Sequence, residues 1–415
     1  MSMKGILIVG ILLGFKLIVQ SWLMLRQRRA ILAHRGTVPA AFSSFFTLEE
    51  HQKAADYGRA RLELGIGRMW FQGALLFAWF YFGFLMSLDA RLFFYVPSSL
   101  WQPVALLAAV SIVEGLLGLP WSLYSQFVLE ERFGFNRTTW KTFLLDRVKG
   151  SLVGAVFLVI LVIPLVLLMN SVPVYWWVPA LVFYILFQFL IIWLYPTVIA
   201  PLFNKFSPLE DATLAGGIKQ LVEGAGFQSS GVYVMDASKR SSHGNAYFTG
   251  MGRAKRIVFF DTLLQKLRPE QTLAVLAHEV GHLAHGHIKK GLVISLMMSG
   301  LAFYGLGWFS QRTDLFMDLG LSPTHGVILL VAMWLGGLVS VPLGPLMSWW
   351  SRRHEFQADR YAIERTSAEG LGTALLELYR GNAGSLVVDP LYAAWTYSHP
   401  PLTERLAAMP YPAKD

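Results

Sequence analysis

Seven long apolar runs alternate with polar segments along the chain. Each run is close to the ~20 residues that an α-helix needs to cross the hydrocarbon core of a bilayer. The runs cover approximately residues 3–25, 69–88, 103–125, 150–170, 174–200, 291–310 and 326–350. Tryptophans lie near their ends, as is usual at the membrane–water interface: Trp70, Trp101, Trp121, Trp176, Trp177, Trp308, Trp349 and Trp350. The pattern predicts an all-α integral-membrane bundle of seven transmembrane helices.

The longest polar segment, residues 201–290, mixes helix and strand patterns. It predicts a helix over about 209–225 and strands over 231–236, 244–250 and 255–261, separated by polar turns. Three consecutive short strands predict a small β-meander, and an extended peptide can add to such a strand edge through main-chain hydrogen bonds. A packing hairpin without a binding role explains the same pattern. The chain therefore divides into residues 1–200 (spans one to five), 201–290 (α+β segment), 291–350 (spans six and seven) and 351–415 (C-terminal polar segment).

Basic residues concentrate in alternate polar segments. The chain is 54% hydrophobic and 15% charged, with a mean hydropathy of +0.48 and a formal net charge of +9. Residues 26–68, 126–149, 201–290 and 351–415 hold 31 of the 35 Lys and Arg, which is the positive-inside pattern of cytoplasmic loops. It predicts a multi-pass protein with its N-terminus outside and its C-terminus in the cytoplasm. The charge is then explained without nucleic acid, and anionic membrane lipids are the expected partners.

The sequence His278-Glu279-x-x-His282 carries the most specific chemistry. On a helix the two histidines lie one turn apart on one face, where both imidazoles can bind one Zn²⁺ and Glu279 can act as a general base. Pro269 and Glu270 open that helix in the usual way. The chain has no cysteine, which excludes thiolate ligands. One zinc ion per chain, held by histidine and carboxylate, is therefore expected.

A catalytic zinc usually has three protein ligands. His285 lies seven residues after His278, which is roughly 10.5 Å of helical rise and too far for the same ion. Glu355 is the better third ligand, because it follows a span on a helix that can pack against the zinc helix. Asp359, one turn further, can accept the outer N–H of a ligand histidine. His399 and Arg405 are candidate donors to the oxyanion of the intermediate, although spacing alone does not select them.

Several separated motifs together resemble the type I CAAX prenyl proteases. They occur in this order: 119–136, 200–209, Ser-Ser-His-Gly-Asn-Ala-Tyr-Phe-Thr-Gly (241–250), His-Glu-Val-Gly-His (278–282), Glu-Phe-Gln-Ala-Asp (355–359) and Ser-His-Pro-Pro-Leu-Thr-Glu-Arg (398–405). The likeness spans about 119–410, and the count of seven spans agrees with it. Departures are Leu283 where relatives often have Trp, and His285 where an apolar residue is common.

The resemblance implies a membrane chamber enclosed by seven helices, with a gluzincin-like zinc site at its cytoplasmic end. It implies His278, His282 and Glu355 as ligands and Glu279 as the base. His399 and Arg405 would stabilise the intermediate. The residues that would hold substrate backbone are Asn245, Ala246 and Tyr247. The substrates it implies are prenylated C-terminal peptides, cut just after the lipidated cysteine.

Two other interpretations stay open from the sequence. One is a zinc protease that removes damaged membrane proteins, and the other is a multispan protein with a structural zinc and no catalysis. The compact chain without an obvious retrieval tail favours a bacterial inner membrane over the endoplasmic reticulum. The oligomeric state cannot be read from these patterns.

Overall fold

The structure is a computed structural model that describes residues 2–226, 231–249 and 256–410, and most of these residues are helical. The helices are α1 (Met3–Ala33), α2 (Leu48–Tyr81), α3 (Phe84–Tyr95), α4 (Trp101–Tyr124), α5 (Trp140–Ser171), α6 (Trp177–Leu194), α7 (Ala200–Phe203), α8 (Ala212–Gly224), α9 (Asp261–Leu264), α10 (Pro269–Ala284), α11 (His287–Ser310), α12 (Thr313–Asp318), α13 (His325–Val339), α14 (Gly344–Arg365), α15 (Ala368–Gly381), α16 (Pro390–Thr396) and α17 (Leu402–Ala407). The strands are β1 (Phe206–Pro208), β2 (Val232–Met235), β3 (Ala246–Thr249) and β4 (Arg256–Phe260).

Five continuous helical segments are long and apolar enough to cross a membrane. They are Met3–Ala33, Trp101–Glu130, Trp140–Ser171, Trp177–Phe203 and His287–Ser310. Two further pairs of helices meet the same criterion only when joined: α2 with α3, bent by 60°, and Val341–Arg365 with α13, bent by 41°. The described residues thus give five spans, or up to seven if each bent pair crosses once. The helical membrane protein predicted from the apolar runs is confirmed at this level.

The spans leave large apolar side chains on their outer surface. Leu116, Leu152 and Leu186 are 64%, 63% and 65% exposed. In water so many exposed aliphatic groups would drive association, whereas in lipid they need no cover. The helices therefore match a bilayer environment and not an aqueous one.

The polar segment after the fifth span contains a four-stranded sheet of order β1-β2-β4-β3. β2 pairs with β4 in parallel, while β3 pairs with β4 and β1 with β2 in antiparallel fashion. The predicted meander is wrong, because β4 inserts between β2 and β3, and the short strand β1 had no sequence signal. Gly250 and Lys255, at the ends of two predicted strands, lie outside the described residues. This strand order leaves β3 at the edge of the sheet.

One face of the sheet packs against the helix that carries the histidine motif. Ile257 and Phe259 of β4, Ala246 of β3 and Val280 of α10 belong to one buried apolar cluster. Helix α8, predicted at 209–225, closes this cluster with Leu214, Ile218 and Val222, which recur at helical spacing on one side. The edge strand and the motif helix are thereby fixed relative to each other.

Candidate metal centre

Helix α10 is defined by clear signals at both ends. Pro269 occupies its first turn, and the side chain of Gln271 accepts the N–H of Arg268 at 2.9 Å. Gly286, with φ of +66°, follows the last turn and begins α11. A glycine adopts this left-handed conformation without steric cost. The motif helix therefore stops just after His285 and the chain turns into the sixth apolar run.

Gly281, in the middle of the motif, lies directly against the backbone of α14. A Cβ built on it would lie 3.0 Å from Cα of Ala358, 3.1 Å from its carbonyl oxygen and 3.1 Å from Cβ of Tyr361. Backbone atoms cannot give way as a flexible side chain can. The absence of a side chain at Gly281 therefore lets the two helices bring their polar residues together.

Across this contact three side chains converge in the geometry of a zinc site. Nε2 of His278 lies 3.2 Å from Nε2 of His282 and 3.3 Å from Oε2 of Glu355, and Nε2 of His282 lies 3.3 Å from Oε1 of Glu355. Ligands bonded to Zn²⁺ at about 2.0–2.1 Å in a tetrahedron lie about 3.3 Å from one another. The three spacings therefore fit one tetrahedral ion with its fourth position open.

The environment of Glu355 supports the same ligand set. Its side chain is only 5% exposed, and its buried Oε2 has no hydrogen-bond partner although it faces the imidazoles. A buried carboxylate oxygen without a partner is costly unless a cation satisfies it. Within residues 2–226, 231–249 and 256–410 no other three histidine or carboxylate side chains bring ligand atoms within 4.8 Å of one another. The residues present fit a zinc ion.

Asp359 and Arg405 lie behind His278. Oδ1 of Asp359 accepts the Nδ1–H of His278 at 2.7 Å, and the guanidinium of Arg405 binds both oxygens of Asp359, with Nε 2.8 Å from Oδ2. All three side chains are buried. Because Nδ1 of His278 carries the proton, Nε2 keeps its lone pair for the metal.

A second pair of orienting residues, His287 and Gln357, lies behind His282 and was missed by the sequence reasoning. Nε2 of His287 donates to Oε1 of Gln357 at 2.8 Å, and Nδ1 of His287 lies 3.0 Å from Nδ1 of His282. The amide oxygen only accepts, so Nε2–H of His287 is the donor and its Nδ1 accepts the proton of His282. This assignment leaves Nε2 of His282 free to bind metal. His287 is separated from the motif by the turn at Gly286, and no sequence spacing predicts that the turn returns it to His282.

The neighbouring side chains shift the pKa values of His278 and Glu279. Burial lowers the pKa of His278, but the hydrogen bond to Asp359 and the nearby carboxylate of Glu355 outweigh it and raise the pKa to about 9. Burial raises the pKa of the Glu279 carboxyl, and the neighbouring imidazoles oppose that rise. Within the described residues Glu279 forms no ion pair, which leaves its carboxylate available for proton transfer.

The two residues predicted to stabilise the intermediate, His399 and Arg405, differ in exposure and in what they contact. His399 is 63% exposed at its side chain, and its Nε2 lies 3.5 Å from Oε1 of Glu355 on the metal side. Arg405 is buried and contacts Asp359, with Nη2 3.4 Å from Nδ1 of His278. His285 lies outside the ligand group and stacks beside His287, with ring centres 5.5 Å apart.

The predicted substrate-binding residues lie where β3 begins. Asn245 is exposed, and its main-chain oxygen accepts the N–H of Phe260 at 2.9 Å. The side chain of Ala246 faces the α10 cluster, whereas Tyr247 faces the opposite cluster with Phe260 and Met235. Since these side chains point into the two faces of the sheet, a bound peptide would meet β3 mainly through its backbone edge.

Comparisons with known proteins agree with the motifs. Residues 27–205 match the family model for the CAAX prenyl protease N-terminal region with five membrane helices, and residues 208–413 match that for peptidase family M48. CAAX prenyl protease 1 of Saccharomyces cerevisiae is 37% identical over 336 residues, which cover 77% of this chain and 74% of the yeast protein. The CAAX prenyl protease 1 homolog of Caenorhabditis elegans is 32% identical over 418 residues, 92% of each chain.

The structural comparison extends over nearly the whole chain. The crystal structure of S. mikatae Ste24p matches with a TM-score of 0.90 and 31% sequence identity, covering 98% of this chain and 99% of that one. The resemblance first seen in the motifs is confirmed.

Replacing Gly281 by alanine should weaken zinc binding. The added Cβ forces α10 and α14 apart, with an overpacking cost of about 1–3 kcal/mol, and the ligands on the two helices separate. We expect a loss of at least about tenfold in zinc affinity, in line with other changes behind a metal site. Metal titration of the purified protein measures it.

Gly216→Ala is the matched control. Gly216 also lies within a helix, but a Cβ there meets no atom within 4 Å, so zinc affinity should not change. Equal affinities for both variants and the wild type would show that the close approach at Gly281 does not hold the site together.

Zinc affinity should depend on pH below about 9. The ion must displace the proton that the metal-free site holds on His278, so with one proton released the apparent affinity falls about tenfold per pH unit as pH decreases below that pKa. Competition with a chelator of known proton affinity between pH 6 and 9 measures the slope. A flat profile would contradict the assignment.

Proposed function

The chain belongs to the CAAX prenyl protease family of M48 zinc metallopeptidases, and from this premise we propose that it cuts prenylated C-terminal peptides just after the lipidated cysteine. The observation that carries the assignment is the convergence of His278, His282 and Glu355 within 3.3 Å, next to an ion-pair-free Glu279. Relatives named CAAX prenyl protease 1 or its homolog support the substrate class.

Glu279 is the proton carrier in the proposed reaction. When bound, zinc lowers the pKa of a coordinated water toward ~7 and polarises the scissile carbonyl. The Glu279 carboxylate accepts the proton of the attacking water and then delivers it to the leaving nitrogen. Partial burial raises its pKa, which makes it a stronger base than an exposed carboxylate and a competent acid in the second step.

His399 and Arg405 complete the chemistry in this proposal. The exposed imidazole of His399, on the metal side of Glu355, donates to the oxyanion as it forms. Arg405 acts through Asp359, holding His278 in the tautomer and orientation that a ligand needs. The main chain at Asn245, Ala246 and Tyr247 pairs with the extended substrate.

We propose that each bent helix pair crosses the membrane once, which gives seven spans around a chamber. The positive-inside distribution then sets the N-terminus outside and the zinc site on the cytoplasmic side. A lipidated peptide reaches such a site from the leaflet that already holds its lipid chain. Anionic headgroups of that leaflet complement the basic cytoplasmic segments.

Glu279→Gln should abolish turnover and leave zinc bound. The amide keeps the size of the side chain but cannot accept a proton, so the rate on a farnesylated peptide should fall by a factor of about 10²–10⁴. Peptide cleavage and metal content are measured on the same purified protein. Glu270→Gln, an exposed residue in the first turn of the same helix, is the matched control and should retain full activity.

Two outcomes would contradict the assignment in different ways. Full activity of Glu279→Gln with zinc bound would remove Glu279 as the proton carrier, whereas no cleavage by the zinc-loaded wild type would favour a structural metal. Preference of the wild-type protein for an unfolded, unlipidated protein over the farnesylated peptide would instead favour a protease of membrane-protein quality control.

Single introduced cysteines can test the topology, because the chain has none of its own. Glu210→Cys lies at an exposed position before α8, and Asp314→Cys is exposed between the sixth and seventh apolar runs. In intact cells a membrane-impermeant maleimide should label Asp314→Cys, and should label Glu210→Cys only after permeabilisation. The reverse pattern would place the zinc site outside.

A further inference from the structure

A cavity lies beside the segment that leads into β3. It has a volume of about 530 Å³, within the range of about 300–1,000 Å³ usual for small-ligand sites. Its walls come from three basic segments: the start of α2, residues 125–147, and the chain that leads into β3. Neither the proposed chemistry nor the metal site uses this cavity.

The rim of this cavity is tied directly to the edge strand. Asn136 and Ser241 form a β-bridge, N–H of Arg137 bonds to the carbonyl of Arg240 at 3.1 Å, and N–H of Ser242 bonds to the carbonyl of Phe135 at 3.3 Å. These main-chain bonds fix the segment immediately before β3. The cavity and the strand edge therefore form one continuous surface.

The distance along this surface is that of a short peptide. His243 lines the cavity and stacks on Phe135, with ring centres 4.4 Å apart. It lies three residues before Ala246, so its Cα is at most about 10–11 Å from that of Ala246. Three residues of an extended peptide also span about 10 Å.

The carboxylates of the cavity are already engaged. Asp146 forms two hydrogen bonds with Arg240, at 2.8 and 3.0 Å. Glu130 accepts the hydroxyl of Tyr57 at 2.8 Å and lies 3.6 Å from Nε2 of His243. Asp146 is thereby paired with a cation, whereas Glu130 is held by a hydroxyl and an imidazole.

Two arginines also line the cavity, and the charge of Arg61 acts on the neighbouring Tyr57 and Glu130. Arg61 lies over the ring of Tyr57, 5.5 Å from its centre, and Arg147 lies over the ring of Phe143, 5.3 Å from its centre. Neither forms an ion pair with any residue in the described part of the chain. Guanidinium groups held over aromatic rings are pre-organised to bind a carboxylate.

We infer that this cavity binds the free C-terminal carboxylate of the substrate, with Arg61 and Arg147 as the receiving cations. The inference rests on the proposed function and adds to it the direction in which substrate lies. A peptide antiparallel to β3 runs toward His243 after the scissile bond, which brings its last residue into the cavity. The three residues that follow the prenylated cysteine then run beside the segment from Ala246 to His243, which lines the cavity.

The test compares two farnesylated peptides that differ only at the C-terminus, one a free acid and the other a carboxamide. With full-length wild-type protein, kcat/KM should be at least about tenfold higher for the acid, as expected for a charge-assisted contact. In the double variant Arg61→Met/Arg147→Met this ratio should fall toward one. The double variant Arg61→Lys/Arg147→Lys keeps both charges and should retain part of the preference.

Lys141→Met is the matched control, since Lys141 is an exposed cation on the same helix as Arg147 and does not line the cavity. It should retain the wild-type ratio. Zinc content of each variant checks that the site is intact.

Three outcomes overturn the inference. Equal cleavage of acid and amide by the wild type, or a ratio that persists in the methionine variant, removes the carboxylate site and leaves the proposed function standing. If the protein cleaves an unfolded protein but neither peptide, the proposed substrate class is wrong, and so is the proposed carboxylate site.

Discussion

The structure depends on holding two imidazole nitrogens and a carboxylate within 3.3 Å of one another. Lone pairs and a negative charge at that separation repel unless a cation or a proton lies between them. The scaffold enforces the arrangement through the contact of α10 with α14, where a Cβ at position 281 would lie only 3.0–3.1 Å from its neighbours. An ion bound between α10 and α14 therefore stabilises their packing, so metal binding and local folding are linked.

The balance of buried charge explains why so many residues surround the centre. Glu355, Asp359 and Arg405 are all buried. With an ionised Glu279, these three carboxylates and one guanidinium carry two net negative charges. A divalent cation brings this group to neutrality. Without it the same field holds a proton on His278, whose pKa is raised to about 9. The orienting pairs thus fix the tautomers of both histidines and also set the charge that the site requires.

The sequence predicted those parts of the site that lie on one element. The spacing of His278 and His282 follows from the helical repeat, and the apolar runs located the spans because the bilayer sets their length. Contacts between elements were harder to predict. Glu355 could be proposed by eliminating His285 and from its place after a span, and His287 was missed because it follows a left-handed turn at Gly286. The strand order was predicted wrongly for the same reason: strand patterns give faces and lengths, whereas pairing is decided by the packing of β4 between β2 and β3.

The position of the centre between an apolar surface and a cationic cavity bears on how the cut is chosen. Main-chain pairing along β3 accepts almost any sequence, because it uses atoms that every residue has. Selectivity must then come from the two ends of the substrate. In the proposed substrate one end carries a lipid that partitions into the membrane around the exposed apolar spans, and the other carries a negative charge suited to Arg61 and Arg147. With both ends held, the fixed distance from β3 to the cavity determines which peptide bond lies beside Glu279. In this proposal the length of peptide between the two ends selects the bond that is cut, and the main-chain bonds between residues 135–137 and 240–242 hold the cavity wall beside β3.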